Sequence, residues 1–75
     1  MRSFESLDGQ RWQAALLEAS YGQILLIFSP AAGDELRQHL MMAEYLAQAQ
    51  QQLDATDDAA LAQWLADATP WQPGR

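Results

Sequence analysis

The sequence predicts an α+β fold, a three-stranded antiparallel meander followed by a long helix and a short C-terminal helix (ββ-β-α-α). Three observations carry the prediction. Ile24 to Phe28 is an uninterrupted run of large apolar residues, closed by Ser29-Pro30, which reads as a strand covered on both faces. Before it, apolar residues recur with period two at Trp12, Ala14 and Leu16; beyond Pro30 they recur with the 3.6-residue period of helices. The period changes once, so strands come first and helices follow, in a single small domain covering residues 1–75.

The first strand spans Arg2 to Ser6 and contributes Phe4. Leu7-Asp8-Gly9 then reads as a hairpin turn, because glycine takes a left-handed conformation without a Cβ clash. A two-residue loop places Phe4 opposite Gln13. A three-residue loop, a type I turn closed by a bulge at Gly9, pairs Phe4 with Trp12 and Glu5 with Arg11, and is preferred because it joins two aromatics on one face and opposite charges on the other.

Strand two runs from Arg11 to Ala19, and Ser20-Tyr21-Gly22 reverses the chain into the apolar run. A second three-residue loop sets Leu16 across from Leu26, Ala14 from Phe28 and Glu18 from Ile24. The core face is then Phe4, Trp12, Leu16, Ile24, Leu26 and Phe28. The opposite face carries Ala15, Leu17, Ala19, Leu25 and Ile27, and is apolar as well.

Gly33 or Asp34 is expected to cap a helix from Glu35 to Leu53, whose stripe of Leu36, His39, Leu40, Ala43, Leu46 and Leu53 packs on the sheet. On that helix Met41 and Tyr45 stand four residues apart on the opposite side and form a small second apolar patch. Thr56 is expected to cap a second helix, with the Asp57 and Asp58 carboxylates in its first turn complementing the macrodipole. Leu61, Trp64, Leu65 and Ala68 mark one face of that second helix, from Asp57 to Ala68, ended by Thr69-Pro70. Trp71 is expected to fold back onto the domain.

Composition narrows the functional classes. Ten carboxylates against four arginines give a net charge of −6, the wrong sign for docking on nucleic-acid phosphates or an anionic membrane surface. The absence of cysteine excludes disulfides, thiolate metal sites and thiol nucleophiles. Arg2 leads into Phe4, Glu5 and Asp8 rather than an apolar stretch, so no signal peptide is expected, and no run approaches the ~20 apolar residues of a membrane span. The expectation is a soluble cytoplasmic protein.

No catalytic constellation is expected, and no cofactor or metal. His39 is the only histidine, with Glu35 one helical turn before it and no third ligand on its face, a pairing that ordinarily supports a helix. Ser29 precedes a proline with no elbow motif around it. Pro30 to Gly33 lacks the glycines and lysine of a phosphate cradle and leads into two acids. The acidic pairs Asp34-Glu35 and Asp57-Asp58 read as helix caps, and the three tryptophans as core or interface bulk.

The leading functional expectation is a non-enzymatic protein-interaction module, a homodimer or a complex with a protein partner. Two helices can cover one face of the meander, which leaves Leu17, Leu25 and Ile27 without a cover; these, with Met41 and Tyr45, are the candidate interface residues. The competing arrangement wraps the second helix and Trp71 over the far face of the same sheet. Two other functions stay open: a small-ligand binder with its site between sheet and helix, and an acidic inhibitor or adaptor for a basic partner.

Overall fold

The computed structural model describes residues 2–19 and 22–71. Its sheet has five antiparallel strands in sequential order: β1 (Arg2–Glu5), β2 (Arg11–Glu18), β3 (Ile24–Pro30), β4 (Arg37–Leu40) and β5 (Thr69–Pro70). Two helices, α1 (Leu46–Ala55) and α2 (Asp58–Asp67), lie between β4 and β5 in sequence. The α+β class therefore holds, while the three-stranded meander grows to five strands.

The first three strands pair in the expected register. Phe4 stands opposite Trp12 and Glu5 opposite Arg11. The amide of Gly9 donates to the carbonyl of Ser6 at 3.0 Å, and the glycine has φ +85°, which is the turn-plus-bulge geometry that sets this register. On the other side of β2, Leu16 faces Leu26, Ala14 faces Phe28 and Glu18 faces Ile24. Ser20 and Tyr21, assigned to the second turn, lie outside the described residues.

The long helix from Glu35 to Leu53 is not formed. Residues 34–36 are irregular, and Arg37–Leu40 is a strand paired with β3, with Leu25 opposite Leu40 and Ile27 opposite Gln38. The physical reason is the second edge of β3. In a three-stranded sheet the most apolar strand is an edge, and its outward amides and carbonyls have no partner; β4 supplies one. Helix formation starts only at Leu46, with Tyr45 as N-cap and no side-chain hydrogen bond at that cap.

The second helix begins one residue later than expected, and its cap is Asp57, whose carboxylate accepts from the Ala60 amide at 2.8 Å. Thr56 instead closes α1: its hydroxyl donates to the Gln52 carbonyl at 2.6 Å and its amide to the Leu53 carbonyl at 3.2 Å. After α2 the chain does fold back. Thr69 and Pro70 pair with Gln38 and Arg37, and the Trp71 amide donates to the Leu36 carbonyl at 2.9 Å.

One buried cluster holds the layers together. Phe4, Trp12, Ala14, Ile24, Leu26 and Phe28 from the sheet meet Ala49 and Leu53 of α1 and Leu61, Ala62 and Leu65 of α2. Phe4 and Phe28 pack edge to face, with centroids 5.7 Å apart. Leu16, expected in the core, is half-buried at its margin. Both helices thus sit on one face of the sheet, and α2 does not wrap to the other.

Candidate functional site

The candidate site is the outer face of the sheet, whose residues are set by strand parity. With Trp12, Ala14 and Leu16 turned to the helices, Gln13, Ala15 and Leu17 of β2 point outward; on β3 the outward residues are Leu25, Ile27 and Ser29. On β4 they are Gln38 and Leu40. Register aligns these side chains into rows across three strands. Leu17, Leu25 and Leu40 form one row, and Ala15, Ile27 and Gln38 the next.

Leu17 is 38% exposed and Leu40 50%, while Ala15, Leu25 and Ile27 are half-buried by their neighbours. None of the five belongs to the buried cluster. Farther along the strands the face turns polar, with Gln13 opposite Ser29 and then Glu5 opposite Arg11. Of the two carboxylates carried by the strands, Glu5 and Glu18, only Glu5 stands on this face by parity, and Arg11 opposes it in register. The face is therefore neutral in a chain of net charge −6.

Leu17, Leu25 and Ile27 accordingly sit together, in adjoining rows, as the alternation implies. Met41 and Tyr45 do not share a face, because the helix that would have aligned them is absent. Met41 follows β4 with the parity of Arg37 and His39; it points to the helices and is 4% exposed, and its amide donates to the Ile24 carbonyl at 2.9 Å. Tyr45 is 60% exposed at the start of α1. Leu40, assigned by periodicity to a helix stripe, is instead an outer-face residue, and Met42 beyond it is 85% exposed. The signal for Leu40 was the demand of the apolar strand for a second neighbour.

His39 lines neither of the two clefts described below. Its ring stacks on Trp64, with centroids 4.6 Å apart and planes 12° from parallel, and burial pushes its pKa below the ordinary 6.5, partly opposed by the Asp67 carboxylate. Glu35, the expected companion of His39, bonds Arg37 at 3.1 Å instead. The Arg37 guanidinium also lies over the Trp12 ring, 5.4 Å from its centroid.

A shallow cleft of about 220 Å³ lies between the hairpin and α2, walled by Ser6, Asp8, Trp12, Arg37 and Leu65. Its two charged groups are already engaged: Arg37 as above, and Asp8 by the Ser6 hydroxyl, which holds the carboxyl below its usual range. A second, more open cleft of about 390 Å³ beside Met41 and Met42 has Glu44 as its one ionisable wall. Among the described residues no three histidines or carboxylates converge on a point where a metal ion could bind. No described helix is long and apolar enough to cross a membrane.

Comparison of the chain with family models, with curated proteins and with solved structures found no match. The functional reading therefore rests on the sheet and its two unlike faces.

Proposed function

We propose that this chain is a cytoplasmic, non-enzymatic protein-interaction module that pairs with a second copy of itself through the outer face of its sheet, with neither nucleic acid nor membrane as a partner. The observation that carries the reading is the row Leu17, Leu25 and Leu40, with Ile27 beside it, on a face that neither helix covers. Removing a leucine or isoleucine side chain from water contributes ~1.5 to 3 kcal/mol when burial is complete. Half-buried groups contribute a part of that, set against the cost of association.

The local charge of the outer face is compatible with a second copy. Two chains of net charge −6 repel at long range, and the outer face is where that repulsion is least, because its one strand carboxylate is matched by Arg11.

The test is sedimentation velocity over a concentration series, with Leu25→Asp and Ile27→Asp run beside the natural chain. The natural chain is expected to move from monomer to dimer across the micromolar range. Both variants should stay monomeric while keeping the far-ultraviolet circular dichroism of the folded protein. A natural chain that remains monomeric throughout overturns the reading.

A further inference from the structure

The outer face is not uniform along the strands, and this decides how two copies can meet; the inference rests on the self-association proposed above. At one end stand the rows Leu17, Leu25, Leu40 and Ala15, Ile27, Gln38. At the other stand Gln13 with Ser29, and Glu5 with Arg11. Two identical sheets that meet face to face are related by a two-fold axis lying between them. Such an axis can run along the strands or across them, and the two choices bury different groups.

An axis along the strands superposes like ends. It stacks the polar end of one face on the polar end of the other, enclosing Gln13, Ser29, Glu5 and Arg11, and each polar group withdrawn from water needs a new partner there. An axis across the strands, passing through the leucine and isoleucine rows, buries the apolar end of each face against the other. The polar ends then overhang on opposite sides and keep their water. The side-chain gradient therefore selects the second arrangement.

We infer that the two copies pack face to face about a two-fold axis perpendicular to the strands, with β2 lying over the second copy's β2 and β4 over its β4. The assembly is a closed four-layer sandwich, helices outside and two sheets within, with facing strands inclined by the ~30° that sheet twist imposes. Because each copy uses the same patch, association stops at two.

The chain contains no cysteine, so single cysteines report position cleanly. Ala15→Cys and Gln38→Cys flank Ile27 in one row, on strands two positions apart and so ~10 Å apart, and both substitutions spare the leucines and isoleucine. Facing sheets lie ~10 Å apart, beyond the ~7 Å that a disulfide tolerates, so a short bis-maleimide is the probe. Each variant, treated alone at a concentration where sedimentation finds dimer, is expected to give a covalent dimer. An axis along the strands brings at most one of the two positions opposite itself and, centred on β3, links Ala15→Cys only to Gln38→Cys in a mixture. A dimer with that cross-linking pattern overturns the geometry while leaving self-association intact. A monomer by sedimentation overturns the self-association and the geometry with it.

Discussion

The imidazole of His39, on β4, lies flat against the indole of Trp64, on α2, at a centroid separation of 4.6 Å. The stack ties the strand that completes the sheet to the helix that covers it, and makes both rings reporters of that junction. Burial lowers the pKa of His39, the Asp67 carboxylate opposes the shift, and Arg37 shares its strand and face two residues earlier. A depressed histidine pKa favours the neutral folded form. The contribution to stability is complete above about pH 6.5, the ordinary value, and is lost as pH falls through the lower folded value. The urea midpoint should therefore fall between pH 7.5 and pH 5, and His39→Gln should flatten that slope.

The strand identity of residues 37–40 has its own test. The Met41 amide donates to Ile24, so by alternation the His39 amide points to β3 and the Leu40 amide away from it, past the end of β5. Proline at 39 then removes a ladder bond and should cost ~3 kcal/mol or more, whereas proline at 40 should be tolerated by the folded monomer. In a continuous helix through these residues the two prolines would be equally damaging. Urea titrations of the two variants make the comparison.

Arg2 joins three elements. From β1 its guanidinium donates to the Leu53 carbonyl near the end of α1 at 2.7 Å, and to Asp58 in the first turn of α2 at 2.9 Å. The carbonyl bond is partly buried; the ion pair is largely solvated and contributes little. Arg2→Ala should thus cost ~1 to 1.5 kcal/mol and Asp58→Asn under ~0.5 kcal/mol. For a domain of this size a 1 kcal/mol loss lowers Tm by roughly 4 to 8 °C, which a thermal melt resolves.

Leu61 is fully buried between the helices and the sheet, and Leu7, at the hairpin tip, is 69% exposed. Leu61→Ala should cost ~2 to 5 kcal/mol, a large part of the total stability expected at ~0.05 to 0.15 kcal/mol per residue. Leu7→Ala should stay within ~0.5 kcal/mol. Denaturant unfolding of the pair locates the core on the side of the sheet that bears Phe4 and Phe28.

The parts legible in the sequence are those governed by near neighbours. Asp8-Gly9 dictated the turn that pairs Phe4 with Trp12, and one three-residue loop later Leu16 had to face Leu26. Period-two alternation then assigned Leu17, Leu25 and Ile27 to a common outer face, and Asp58, Leu61 and Leu65 marked α2. Each of these follows from turn chemistry or from side-chain parity within a dozen residues.

Tertiary structure alone decided what happens between Pro30 and Leu46. Leu36, His39 and Leu40 fit a helical stripe as well as a strand, and four residues with only one strongly apolar side chain carry too weak a period to choose. The choice came from the unpaired edge of Ile24 to Phe28, a demand for hydrogen-bond partners that no local pattern records. Meeting it moved β3 from the sheet's edge to its centre, turned Met41 into the core and brought Leu40 beside Leu25 on the outer face.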